Sequence, residues 1–181
     1  AAWLGPVMRW MESDDAADRQ PSLTVLWLTP LRALATDTCD ALRLPIDQLG
    51  LPWTVALRTG DSPSSVKQRQ RSRLPSALVT TPESLSLMLS YPESRHLFRS
   101  LATVVVDEWH ELIASKRGVQ TQLALARLRR WNPALQTWGL SATLGNTGLA
   151  LEALLGAGHA DGVLVEGRTP RRIDIQTLIP T

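Results

Sequence analysis

Three stretches, VLWLTP (25–30), ALVTTP (77–82) and TVVVDE (103–108), share one construction: an apolar run without polar alternation that passes straight into small or acidic polar residues. A strand with one solvated face alternates apolar and polar residues, whereas a strand covered on both faces does not. The chain is therefore constrained to a sheet with helices on both faces, and parallel strands need helical crossovers between them. Segments of helical period lie between the apolar runs, as this requires. Expected strands are Leu23–Leu28, Thr54–Thr59, Ala77–Thr80, Thr103–Val106, Thr137–Leu140 and Val163–Glu166. Expected helices lie near Leu31–Leu42, Ser64–Arg71, Glu83–Leu89, Val119–Arg130 and Leu149–Leu155. DDAADRQPS, GDSPSS and YPESRH, rich in turn residues, are expected loops, and GRTPRRIDIQTLIP suits an edge strand or a linker. The fold class is α/β, with a mostly parallel sheet.

With 181 residues the chain suits one such unit, since independent domains usually need about 100–200 residues each. Lysines and arginines number 19 against 17 acidic residues, and the resulting +2 is no argument for a polyanionic partner. Lys67 and Lys116 are the only lysines, an arginine excess that reads as coding bias rather than phosphate recognition. Cys39 is the sole cysteine, which excludes an internal disulfide and a cysteine-rich zinc site and fits a reducing, cytoplasmic setting. No run approaches the ~18 apolar residues of a membrane span, and the first residues lack a signal-peptide pattern. They read as an amphipathic helix burying Trp3, Leu4, Val7, Met8 and Met11, with nothing at Ala1 or Ala2 to cap it.

Ligands of open α/β sheets collect at the carboxyl ends of strands, so the residues after each apolar run are the candidates for chemistry. Thr29 and Pro30 leave a strand and open a helix, whose free N–H groups favour a phosphate, and Arg32 adds a charge. An ordinary capped turn explains the same residues equally well. Thr81, Pro82, Glu83 and Ser84 repeat the pattern, and two such turns on one edge suit a sugar–phosphate backbone. Asp107 and Glu108 emerge where a buried strand ends, a costly place for two carboxylates unless a cation or water occupies it. Magnesium suits one aspartate completed by waters and nucleotide phosphates, with Glu108 orienting or deprotonating a water. The competing explanation is a charge pair at a helix N-terminus. His110 by itself is an ordinary surface histidine.

VVVDEWH, TPLRALA, TTPES and GLSATL together resemble, in order and spacing, the superfamily 2 DExH-box helicases, and the chain resembles their first RecA-like (P-loop NTPase) lobe. DEWHELIASKRGVQ and the helix after it resemble more narrowly the ligase-associated, large helicase-related (Lhr-type) DNA repair helicases of bacteria. The resemblance implies that Asp107 coordinates magnesium, directly or through water, that Glu108 activates water, and that His110 links the nucleotide site to nucleic-acid contacts. It implies that Ser141, Ala142 and Thr143 connect hydrolysis with strand separation. Backbone contacts would come from Thr29, Pro30, Arg32, Thr81 and Pro82, and from Gly60 and Asp61, which a plain turn explains equally well. KQRQRSR (67–73) suits a solvated helix face and receives no role.

By the same resemblance the parent protein uses ATP and Mg2+ to translocate along and unwind single-stranded or partly duplex DNA, with RNA or an RNA–DNA hybrid as the alternative. It would be cytoplasmic and nucleoid-associated in bacteria, in functional association with DNA ligase and repair nucleases. Residues 1–167 would form the first lobe and 168–181 a linker towards a second RecA-like lobe. One departure stands out: no G-x-x-x-x-G-K-[ST] phosphate loop occurs. AAWLGPVM resembles the helix directly after that loop, so the chain is expected to be an N-terminally truncated fragment, inactive by itself. A catalytically dead binding module of the same fold, an RNA-directed helicase and a metal-dependent hydrolase are the alternatives. The last would need ligands converging on Asp107, and His96 and His159 lie in loop-like contexts.

Overall fold

The computed structural model of the protein describes residues 2–13, 21–142, 144–156 and 162–167. Helix α1 (Leu4–Met11) precedes β1 (Val25–Leu28), α2 (Arg32–Gln48), β2 (Val55–Arg58), α3 (Ser64–Ser72) and β3 (Ala77–Thr80). Then follow α4 (Pro82–Leu89), α5 (Ser94–Leu97), β4 (Thr103–Val106), α6 (Trp109–Ile113), α7 (Lys116–Trp131), β5 (Gln136–Gly139) and α8 (Thr147–Leu155). The five strands make one parallel sheet in the order β2-β3-β1-β4-β5.

Side chains alternate across the sheet and both faces are covered. Leu26, Leu28, Leu78, Val104 and Val106 point to a core closed by Leu85, Met88 and Leu89 of α4, Leu112 of α6, Leu125 and Leu128 of α7 and Leu154 of α8. Val25, Trp27, Val55, Val79 and Val105 point the other way, against Val7 of α1 and Ala35, Cys39, Leu42 and Ile46 of α2. Burial raises the pKa of the Cys39 thiol, which makes it a small, unreactive core residue. The helices after the neighbouring strands β1 and β4 thus lie on opposite faces. That divergence is the topological switch point at which such sheets open a crevice.

Several boundaries differ from expectation. Residues 163–166 form no strand, and Val163 and Val165 are 80% and 77% exposed. β-Branched residues make a strand only where a neighbour pairs with them. Helix α2 runs past Leu42 through Pro45 to Gln48, because burial of Leu42 and Ile46 one turn apart outweighs the lost hydrogen bond. YPESRH contains the short helix α5, so His96 is helical, and α6 was not foreseen. His159, Thr143, most of DDAADRQPS and the region 168–181 lie outside the described residues.

Pro6 and Val7 of α1 and its N-cap Trp3 are buried, while Leu4, Met8 and Met11 are exposed. Trp3 and Trp10 both meet Trp53 edge-on, with centroids 5.8 Å apart in each pair. The large rings turn the helix away from the face that the aliphatic pattern suggested. Among the described residues, no helix is long and apolar enough to cross a membrane.

Helices α6 and α7 approach most closely at Gly118, where an added Cβ would stand 2.1 Å from the Leu112 carbonyl oxygen. A backbone oxygen cannot swing aside as a side chain can. Gly118→Ala is expected to cost about 3 kcal/mol and to lower the thermal midpoint by roughly 6–12 °C. An unchanged midpoint in thermal unfolding would contradict this packing.

Candidate functional site

All the strands point the same way, so the residues following them share one edge of the sheet. The edge has two halves. Turns after β2, β3 and β1 lie side by side on one half and carry Gly60 and Asp61, Thr81 and Pro82, and Thr29, Pro30 and Arg32. The ends of β4 and β5 form the other, with Asp107, Glu108 and His110 beside Ser141 and Ala142.

Asp107 is fixed on three sides. Its N–H donates to the Leu28 carbonyl at 2.8 Å, extending the β1–β4 ladder past the strand end. Its Oδ1 accepts the Glu108 N–H at 3.0 Å and its Oδ2 accepts the Trp27 indole N–H at 3.2 Å. Trp27 belongs to β1, so a donor from one side of the switch point orients the carboxylate on the other. Both donors are neutral, and no cationic side chain among the described residues pairs with the carboxylate.

Glu108 has φ 48° and ψ 47°, the one non-glycine residue with positive φ among those described. The left-handed conformation costs a side-chain-bearing residue roughly 1–2 kcal/mol. It persists because the residues on either side are held: Asp107 as above, and Trp109 through its N–H to the Leu140 carbonyl at 2.9 Å. The Trp109 ring is buried, and its indole N–H donates to the Ala150 carbonyl at 2.9 Å. The turn therefore presents Glu108 half-exposed at the rim, in a backbone conformation that the surrounding structure enforces.

His110 lies within reach of three groups. Its Nδ1 is 3.0 Å from Ser141 Oγ and 3.4 Å from Glu108 Oε2, and its Nε2 is 3.5 Å from Glu111 Oε1. The imidazole thus bridges the end of β4 to the residues after β5, a placement that an ordinary surface histidine would lack. No group of three or more histidine, cysteine or acidic side chains able to hold a metal occurs among the described residues. The single hard oxygen donor Asp107 suits magnesium, which keeps most of its waters and takes further oxygens from phosphate. It does not suit a closed protein cage.

On the other half-edge, Thr29, Pro30, Thr81 and Pro82 are buried, while Arg32, Gly60 and Asp61 are exposed. Thr81 caps α4 by accepting the Ser84 N–H, with Pro82 as the first helical residue. Thr29 has a buried hydroxyl that finds no partner among the described residues. The Arg32 guanidinium reaches the Asp61 carboxylate at 3.4 Å, joining the turns after β1 and β2 across the end of β3. These buried side chains shape the turns, on which Arg32, Gly60, Asp61 and Glu83 are exposed.

Sequence reasoning did not single out Trp27, and it left Glu83 without a role. Arg117 Nη2 donates to Glu83 Oε2 at 3.2 Å while its Nε binds Oε1, a bidentate fork between α7 and α4. Burial acts to raise the Glu83 carboxyl, but the Arg117 fork, the backbone and Thr81 outweigh it and leave the pKa below its ordinary value. An indole inside an apolar strand carries no signal of a hydrogen bond to a distant aspartate, and partners 34 residues apart cannot be paired by spacing.

A family model described as DEAD/DEAH box helicase matches residues 1–150. The chain belongs to the DEAD/DEAH box helicase family. This helicase domain is 40% identical over 156 residues to the "Lhr helicase/ probable uracil glycosylase" of Mycolicibacterium smegmatis, a match that covers 80% of the chain and 10% of that protein. It is 36% identical over 166 residues to the "ATP-dependent helicase Lhr-Core" of Methanocaldococcus jannaschii, covering 86% of the chain and 19% of the relative. The solved structure of the Mycobacterium smegmatis helicase Lhr bound to ssDNA and AMP-PNP superposes with a TM-score of 0.70 at 36% identity, covering 86% of the chain and 21% of that structure. The helicase domain thus spans between a tenth and a fifth of the length of these curated relatives. Its parallel sheet with flanking helices is that of a RecA-like helicase lobe, and its family acts on a nucleotide and on nucleic acid.

The enforced conformation at Glu108 has a measurable consequence. Glu108→Gly releases the side-chain strain, and its expected effect is a gain of up to about 1 kcal/mol in folding stability after the entropy of a more flexible unfolded chain is subtracted. Thermal unfolding would register this as a rise of a few degrees. A fall would show that the left-handed backbone is not a source of strain.

Proposed function

We propose that this helicase domain binds ATP at the crevice between β1 and β4 and couples its hydrolysis to movement along a nucleic-acid strand held by the turns after β1, β2 and β3. The observation that carries this reading is the divided edge, on which the oriented Asp107 carboxylate and the neighbouring Glu108 lie beside the turns that follow β1, β2 and β3.

Asp107, oriented by Trp27, would hold Mg2+ directly or through water. Magnesium supplies neutralisation of the charge on the phosphates when bound with the nucleotide. Glu108, projecting from its left-handed turn, accepts a proton from the attacking water. His110 relays its state to Ser141 and Ala142, with Thr143 completing that segment. Arg32, Gly60, Asp61, Thr29, Pro30, Thr81 and Pro82 form the grip. Helix N-termini and backbone N–H groups bind phosphate without reading bases.

In the whole protein, ATP would close this lobe against a second RecA-like lobe, and hydrolysis would reopen them, so that alternating grip advances the strand. Residues 1–167 would be the lobe and 168–181 the link onward. DNA as the strand is supported by the relative solved with ssDNA. A role in repair beside DNA ligase and repair nucleases, in the bacterial cytoplasm and nucleoid, completes the proposal.

Glu108→Gln in the full-length protein is expected to keep nucleotide affinity and to lower turnover at least about a hundredfold, the usual contribution of a positioned base. Undiminished hydrolysis by that variant rejects the assignment. Trp27→Phe retains most of the packing but removes the bond to Asp107. Loss of such a supporting bond commonly costs about 10–100-fold in metal affinity or activity, so half-maximal turnover is expected to need roughly tenfold more Mg2+. An unshifted Mg2+ titration would remove Trp27 from the site.

A further inference from the structure

The Glu83–Arg117 fork joins the two halves of the divided edge at a second place, between the starts of α4 and α7. Glu83 is the second residue of α4, directly after Thr81 and Pro82. Arg117 is the second residue of α7, and α7 follows α6, which begins directly after Glu108. Gly118 lies so close to the Leu112 carbonyl that no side chain separates α6 from α7. Ser115 caps α7 by accepting the Gly118 N–H, and its own N–H donates to the Leu112 carbonyl at 2.9 Å. The two helices are thereby tied end to end.

Stability does not explain the pair. Both side chains are partly exposed, 35% for Arg117 and 44% for Glu83, and ion pairs in such positions contribute little to folding. Arg117 also stands in the first turn of α7, which holds no acidic residue, at the helix end where the macrodipole disfavours a cation. The bidentate fork fixes the orientation of one helix start against the other as well as their distance.

We propose that Arg117 is a positioning residue: through its fork to Glu83 it transmits the state of the nucleic-acid-gripping turn to the α6–α7 pair, and so to Glu108. The proposal rests on the helicase reading of both half-edges. A strand seated against the turn after β3 moves or stiffens the start of α4. The fork passes that change to α7, and the contact at Gly118 passes it to α6 and the turn that presents Glu108.

The test compares Arg117→Ala, Arg117→Lys and Glu83→Gln in the full-length protein. ATP turnover is measured with and without a saturating single-stranded oligodeoxynucleotide. Kd for that oligonucleotide is measured with and without a nonhydrolysable ATP analogue. For Arg117→Ala, turnover without DNA is expected to stay unchanged while stimulation by DNA falls about tenfold, within the usual range of coupling between sites. The effect of the nucleotide analogue on DNA affinity is expected to shrink as well, because binding linkage is reciprocal. Arg117→Lys keeps the charge without the fork and is expected to restore only part of the stimulation. Unchanged stimulation overturns the proposal, and so does an equal fall of both rates together with the thermal midpoint, the mark of a structural role. If Arg117→Ala does not fold, Glu83→Gln, which preserves size, carries the same measurements. Glu108→Gln separates the two readings. Normal turnover by that variant rejects the helicase reading itself, whereas a dead Glu108→Gln beside a fully stimulated Arg117→Ala rejects only the strut.

Discussion

A strand of four residues buried on both faces, as β1, β3 and β4 are, can present polar groups only at its ends, and the parallel sheet brings the carboxyl ends of all five strands to one rim. That constraint organises the molecule. Apolar side chains from β1, β3 and β4 occupy both cores, so chemistry is confined to the residues that follow each strand. The strand order then divides the rim. β1 sits at the centre with the turns after β2 and β3 on one side and the carboxylates on the other, and its own Trp27 reaches across to orient Asp107.

The strained turn at Glu108 follows from the same arrangement. A chain leaving β4 must enter α6 immediately, because Trp109 is already fixed by the Leu140 and Ala150 carbonyls. One residue is left to make the change of direction, and it adopts positive φ. Glycine would do so at lower cost. A glutamate at that position concentrates a local cost at the residue to which water activation is assigned, as expected where function rather than stability selects the side chain.

The architecture and the rim were legible because both rest on local pattern. Uninterrupted apolar runs specify two-sided burial, and Thr-Pro or Asp-Glu directly after them marks the strand ends. Where global packing decides, the sequence was silent or misleading. Val163 to Val165 have strand propensity but no neighbour to pair with. The aliphatic stripe of α1 pointed one way and the Trp3, Trp10 and Trp53 cluster turned the helix another. His110 looked ordinary because its partner Ser141 is 31 residues away. The placing of Asp107, Glu108 and the turns after β1, β2 and β3 on one edge was readable from the motifs. The Trp27 bond and the Glu83–Arg117 fork depend on contacts across the fold that no spacing rule encodes.

Burial also limits what the half-edge formed by the turns after β1, β2 and β3 can offer a ligand. The side chains of Thr29, Pro30, Thr81 and Pro82 point into the protein. The two prolines carry no N–H and the Thr29 N–H is held by the Thr80 carbonyl, so what these residues offer a strand is the shape of their turns and the start of α4. Contacts of that kind bind phosphate and ribose alike in every sequence. On the helicase reading, this lobe therefore contributes hold and timing without base selectivity. Any preference for a particular strand must arise from the exposed Arg32, whose guanidinium is shared with Asp61, or from surfaces beyond this edge. A motor that steps along arbitrary sequence needs that division, since a grip that read bases would bind some steps too tightly to release them.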